Sequence, residues 1–262
     1  MSVIEPATVQ APTLLEARGI SKHFGGIVAL TEISLGVSQG EAMALVGPNG
    51  AGKTTLFNCL LGLLRPDTGS VLFRGERIDR LPTFRRGRLG IGRTFQRLEL
   101  FTGMTPRQHM LVTERVHRGD GRLWKDLLGM GRPRPEERAK VAEVLDLVGL
   151  ADVADVPVEA LSLGHGRLVE LGRALSGEPC VLMLDEPSSG LDDAETRLLV
   201  DVLNRVRSER GTAIVLVEHD LAMVAKVVDR LVVLDLGRLI ADGPVEQTLA
   251  EPAVRSAYLG LS

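Results

Sequence analysis

The chain has 262 residues, of which 44% are hydrophobic and 25% charged, with a formal net charge of −3. That length suits one large α/β domain or a core with a smaller lobe. The charge balance excludes a dedicated basic nucleic-acid binder, and apolar runs no longer than Ala213 to Val217 exclude a membrane-spanning helix.

Residues 1–13, MSVIEPATVQAPT, lack the basic and apolar regions of a signal peptide and are expected to form a flexible lead to a domain over 14–262. Between Thr31 and Ser38, Ile33, Leu35 and Val37 alternate with polar or small residues, as in a half-buried antiparallel strand. A second strand is expected over Ser70 to Ile78, after the turn RPDTG, so that an antiparallel β-subdomain flanks the core. Between these lies EAMALVG, Glu41 to Gly47, an apolar run of strand length. It leads into GPNGAGKTT and then the helix-like LFNCLLGLL. The pattern G-x-x-x-x-G-K-[ST] between a strand and a helix is a phosphate-binding loop made of Gly47, Pro48, Asn49, Gly50, Ala51, Gly52, Lys53, Thr54 and Thr55. Its glycines let backbone N–H groups curl around a β-phosphate. Lys53 can reach the β- and γ-phosphates, and the Thr54 hydroxyl can hold Mg²⁺.

Eight arginines, Arg74, Arg77, Arg80, Arg85, Arg86, Arg88, Arg93 and Arg97, follow against Glu76 and Asp79. A solvated basic face is the simplest reading, and contact with a membrane leaflet or a membrane protein also suits it. Gln96 stands inside this run. From about 98 to 162 the character is helical: Thr105-Pro106 starts one helix, and Val141, Val144, Leu145 and Val148 line one face of another. The Gly/Pro-rich stretch from Gly119 reads as a mobile insertion. Then come LSLGHGR, Leu161 to Arg167, and a helix with Leu168, Leu171 and Leu175 on one face. Ser162 and two glycines before a helix leave N–H groups aimed outward, as an anion site requires. The strand PCVLMLDEP ends in Asp185 and Glu186, which beside a P-loop are the Mg²⁺ partner and the base for an attacking water. Helices are expected over 193–210 and 221–228. Between them TAIVLVEHD brings His219 to the end of a third strand, where parallel strands converge on one crevice. Cys59 and Cys180, with no metal spacing, read as reduced core thiols of a cytosolic protein.

Taken in order, GPNGAGKTT, Gln96, LSLGHGR, VLMLDEP, SGLDD and His219 resemble the ATP-binding subunits of ABC transporters over nearly the whole chain. The resemblance implies a P-loop NTPase (RecA-like) core of α/β class with an antiparallel β-subdomain and an α-helical subdomain at about 98–162. It implies ATP and Mg²⁺ as ligands, with Gln96 joining Thr54 and Asp185 at the metal and Phe24 stacking on adenine. Lys53, Glu186 and His219 would carry the hydrolysis. It also implies that the signature residues Ser162, Leu163, Gly164 and His165, with Gly190, Leu191 and Asp192 of the D-loop, face the ATP of a second ATPase subunit. In LSLGHGR, Leu163 replaces a glycine and His165 a glutamine of the common LSGGQ.

FGGIVAL, GIGRTFQRLELFTGMT and EPAVRSAYLG resemble the longer of the two ATPase subunits of branched-chain amino acid importers. Importers of urea, amides or other hydrophobic amino acids share the pattern, and lipopolysaccharide exporters share the tail. The resemblance implies two transmembrane permease subunits and, indirectly, a periplasmic or lipoprotein solute-binding protein. The chain would sit on the cytoplasmic face of the membrane, with no nucleic acid expected. A soluble ABC ATPase acting on nucleic acid or ribosomes would carry two units or a long coiled-coil insertion. A P-loop kinase would leave LSLGHGR and His219 without a role.

Overall fold

The short apolar runs form the centre of the molecule. In the computed structural model, which describes residues 13–94, 98–118 and 133–259, six strands make one sheet. They are β3 (Ala42–Val46), β6 (Ile91–Arg93), β7 (Val181–Asp185), β8 (Ala213–Val217), β9 (Arg230–Asp235) and β10 (Arg238–Pro244). The order is β10-β9-β3-β8-β7-β6, parallel throughout except for the β9–β10 hairpin. Ala42, Ala44 and Val46 enter one core and Met43 and Leu45 the other. Burial on both faces is why these strands read as unbroken apolar runs.

The core on the Met43 side is closed by α1 (Lys53–Leu61), which inserts Leu56, Phe57 and Leu60. Over it lies an antiparallel sheet in the order β2-β1-β4-β5. Its strands are β1 (Thr13–Phe24), β2 (Ile27–Ser38), β4 (Thr68–Phe73) and β5 (Glu76–Arg77), and the alternating Ile33, Leu35 and Val37 all point into the core. Two expectations need correction. Thr13 pairs with Ser38 and belongs to the sheet, not to a lead. The stretch Ser70 to Ile78 is a hairpin rather than one strand, because Arg74 and Gly75 both take positive φ, 51° and 81°. That is the two-residue turn whose twist matches its flanking strands.

On the Ala42 side lie α5 (Leu163–Leu175), α6 (Asp193–Arg210) and α7 (Leu221–Val227). α3 (Pro106–Arg118) and α4 (Pro135–Leu147) extend this core outward through Met110, Val141, Val144 and Leu145. A short helix, α2 (Thr83–Leu89), precedes β6, and α8 (Val245–Ala250) and α9 (Pro252–Leu259) end the described chain. The stretch from Gly119 to Gly131, Gln96 and Arg97 lie outside the described residues. The arginine run is not one solvated face: Arg74, Arg77, Arg80, Arg85 and Arg88 are exposed, but Arg86 is only 1% exposed. Cys59 is buried, which pushes its thiol up to about 11, while Cys180 is half-buried and its Sγ accepts from Arg74 at 2.8 Å.

Candidate nucleotide site

The loop after β3 is held from two sides. Gly47 takes φ 143°, and a Cβ there would stand 2.0 Å from the carbonyl oxygen of Leu234 on β9. Gly52 takes φ 100°, and its Cβ would stand 2.6 Å from the carbonyl of Ala29 on β2. Side chains would push the loop off both strands. Gly52 opens α1 with no side-chain cap and no acid in the first turn, so the N–H groups at this helix end are open to an anion. Lys53 is buried, and its Nζ donates to the carbonyls of Gly47 at 2.7 Å and Pro48 at 2.9 Å. Burial lowers the pKa of the ammonium, while the charges of Glu186 and Asp185 pull it back up.

Asn49 to Thr55 line a cavity of about 250 Å³ together with Glu186 and His219, and Ile27, Val28 and Ala29 form its apolar wall. Phe24 ends β1 opposite Ile27 with its ring exposed and the Lys22 Nζ 5.6 Å from its centroid, beside that wall and not in it. Strand β7 delivers Asp185, and β8 delivers Glu218 and His219 at its end. His219 Nε2 and Glu186 Oε1 are 2.8 Å apart. The Asp185 carboxyl is pushed up by burial first and by Glu186 and Glu218 next, with His219 and Lys53 opposing. A carboxyl crowded by acids is the electrostatic setting that a cation relieves. Among the described residues no cluster of three or more His, Cys, Asp or Glu could cage a metal.

None of Ser162, Leu163, Gly164 or His165 lines that cavity. Ser162 caps α5, and its Oγ accepts from the His165 N–H at 3.2 Å, with His165 Nδ1 3.1 Å away. Leu163 is exposed and lies against Gly190, whose added Cβ would come within 3.1 Å of it. The signature and D-loop therefore pack on each other. Leu191 is half-buried, and Asp192 caps α6 by accepting from the N–H groups of Ala194 and Glu195.

Two acids went unnoticed in the sequence. Glu195 Oε1 accepts from the Gly164 N–H at 3.0 Å, and its carboxylate also pairs with the Ser162 hydroxyl, tying the signature to the D-loop helix. Glu218 is buried and accepts from the N–H groups of Ser188 and His219, at 2.9 and 2.8 Å, so it fixes the loop after Glu186 against His219. The position of Glu218 at a strand end, between Val217 and His219, was the available signal.

A family model described as ABC transporter matches residues 30–189. The chain is 37% identical over 250 residues to the high-affinity branched-chain amino acid transport ATP-binding protein LivG of Escherichia coli, covering 94% of this chain and 98% of that protein. It is 34% identical over 254 residues to the methionine import ATP-binding protein MetN of Brucella abortus, covering 96% of this chain and 65% of that protein. The ADP conformation of MJ1267, an ATP-binding cassette of an ABC transporter, superposes with a TM-score of 0.83 at 30% identity, over 95% of this chain and 99% of that one.

Proposed function

The chain belongs to the ATP-binding proteins of the ABC transporter family, ATPases coupled to transport, and we propose that it drives import of branched-chain or other hydrophobic amino acids. The observation that supports the mechanism is that the phosphate loop and the start of the LSLGHGR helix lie apart on one chain. A P-loop cavity contains Glu186 and His219, while the signature helix N-terminus stands outside that cavity. The second site then has a role only when another ATPase subunit brings its nucleotide.

ATP binds with its phosphates on the Gly47–Thr55 loop and its base toward Phe24, Ile27 and Val28. Thr54 and Asp185, joined by Gln96, would hold Mg²⁺, which would supply positive charge against the phosphates. Lys53 leaves the Gly47 and Pro48 carbonyls for the phosphate oxygens. Glu186 orients water and accepts its proton, and His219, held at 2.8 Å from Glu186, sits where it can contact the γ-phosphate. Ser162 and Gly164 close on the partner's nucleotide, the Gly164 N–H exchanging Glu195 for a phosphate oxygen, with Gly190, Leu191 and Asp192 alongside.

A groove of about 370 Å³ between α2, β6, α3 and α5 supports a permease partner. Phe84, 63% exposed, and Arg88 line it. Two permease subunits would hold the ATPase pair on the inner membrane face, with a solute-binding protein acting through them. No helix among the described residues is long and apolar enough to cross a membrane. LivG names branched-chain amino acids and MetN methionine, at 37% and 34% identity, and the full-length match to LivG favours the former.

The test is uptake of labelled leucine, isoleucine, valine, methionine and urea by cells carrying Lys53→Ala in place of the native chain. Branched-chain uptake should fall to background. Loss of urea or methionine uptake alone would reassign the cargo, and unchanged uptake of all five would sink the importer reading.

A further inference from the structure

Arg86 is the largest fully buried side chain of the molecule among the described residues, and it is charged. It projects from α2 onto the far end of the P-loop helix. Its Nη1 donates to the carbonyls of Cys59 at 2.9 Å and Leu60 at 2.7 Å, two of the last carbonyls of α1. Its Nε donates to the Leu81 carbonyl at 3.0 Å, in the turn that leads into α2. The guanidinium lies against Gly62, the left-handed cap of α1, where a Cβ would come within 2.5 Å of Nε and 2.8 Å of Cζ. No carboxylate forms an ion pair with it among the described residues; the nearby Asp79 pairs with Arg77 instead. Its countercharges are the negative end of the α1 dipole and, without an ion-pair contact, the Asp79 carboxylate.

Stability alone explains this arrangement poorly. A buried guanidinium pays a large desolvation cost, and an apolar side chain of similar volume fills such a space without it. What the arginine supplies, and a methionine would not, is a rigid planar fork that fixes two helices to each other. The two helices lead to different places. The exposed side of α2, with Phe84, Gly87 and Arg88, walls the groove described above. The other end of α1, about 10 Å along the helix axis from the Arg86 contacts at Cys59 and Leu60, is Lys53 in the phosphate loop.

We propose that Arg86 is a positioning residue that locks the groove helix α2 to the C-terminal end of the P-loop helix α1, so that the groove and the nucleotide loop move as one body. The link is reciprocal: occupancy of the groove alters nucleotide affinity, and nucleotide alters the groove by the same factor. It rests on ATP binding at the P-loop, and it holds whichever partner fills the groove.

The reciprocity allows a test on the chain alone, with Mg·ADP as the probe and hydrogen exchange as the readout. In the unmodified chain, Mg·ADP should slow exchange in α1, residues 53–61, and in α2, residues 83–89, the latter by roughly fivefold or more if coupling is of ordinary size. Arg86→Met should keep the nucleotide-dependent slowing in α1 and lose it in α2. Arg86→Lys, which keeps a charge but cannot reach all three carbonyls, should fall between, and it serves as the deciding variant if Arg86→Met fails to fold. A purely structural role would raise exchange everywhere without changing the nucleotide-dependent difference, and that result overturns the link. So does an α2 that ignores Mg·ADP while α1 responds in the unmodified chain. If neither helix responds there, the nucleotide reading fails first, and the link fails with it.

Discussion

Glu186 stands in the left-handed region of backbone space, at φ 48°, where a non-glycine residue costs about 1–3 kcal/mol. Its N–H donates to the Val217 carbonyl at 2.8 Å, so the strained turn is pinned to β8, the strand that carries His219. Strain kept beside the phosphate loop fits a side chain aimed for chemistry. Glu186→Gln should retain ATP affinity but lower turnover by roughly 10²-fold or more, since it keeps the shape and loses the base. Single-turnover hydrolysis measured with bound ATP checks this, and turnover near the native rate would remove Glu186 from the mechanism. A different residue sets a pH dependence. His109 is buried, its Nε2 accepts from the Phe101 N–H at 2.9 Å, and its Nδ1 faces the Thr105 carbonyl at 2.9 Å. That pairing uses the neutral ring, and burial holds the pKa below its ordinary value of 6.5. The unfolded chain therefore binds the proton more readily. Stability from this contact is complete above pH 6.5 and is lost as pH falls through the lower folded value. Thermal midpoints between pH 7.5 and 5 should slope more steeply for the native chain than for His109→Gln; parallel slopes would clear His109 of this role.

At the scale of elements, the phosphate loop is a joint rather than a free turn. Gly47 leaves β3 against the Leu234 carbonyl, the N–H of Gly237 donates to Ala51 at 3.1 Å, and the N–H of Thr31 donates to Gly237 at 2.8 Å. The β9–β10 turn and β2 thus hold the loop in place before any ligand is considered. Gly47→Ala would face both a positive φ and a backbone oxygen at 2.0 Å, neither of which a side-chain rotation relieves. It should abolish measurable ATP binding and cost about 1–3 kcal/mol of stability, read by nucleotide titration and denaturant unfolding. Full ATP affinity in a folded Gly47→Ala chain would show that the loop has slack that the packing denies.

At the scale of the whole molecule, the signature and the P-loop face different surroundings. Ser162 and Gly164 are tied to Glu195 behind the D-loop, while Lys53 shares its cavity with Glu186 and His219. Mixing a Lys53→Ala chain with a Ser162→Arg chain therefore tests whether one subunit completes the site of another. Each should be inactive alone. The mixture has one composite site with an intact P-loop and an intact signature, and it should trap ATP and recover part of the hydrolysis. Mixed dimers that form but hold no nucleotide would count against the cross-subunit reading. If the natural partner is a different ATPase, the same readout applies at that partner's P-loop.

Local chemistry determined much of this protein from the sequence. The strand, glycine loop and helix at Glu41 to Leu64 are where the sequence puts them, and the alternating Ile33, Leu35 and Val37 could face only one core, because side-chain direction repeats over two residues. The same local logic located Asp185, Glu186, His219 and the capped start of α5. It failed where a residue's role depends on what comes from far along the chain. Arg86 read as one more surface cation because nothing near it in sequence tells that the carbonyl end of α1 lies beneath it. Nothing near Glu195 in sequence tells that it reaches back 31 residues to Gly164. The strand β1 escaped notice because its pairing comes from β2 and β4 and its burial from the core that holds α1. Burial, pairing and countercharge are supplied by distant segments, so only the packed chain decides them.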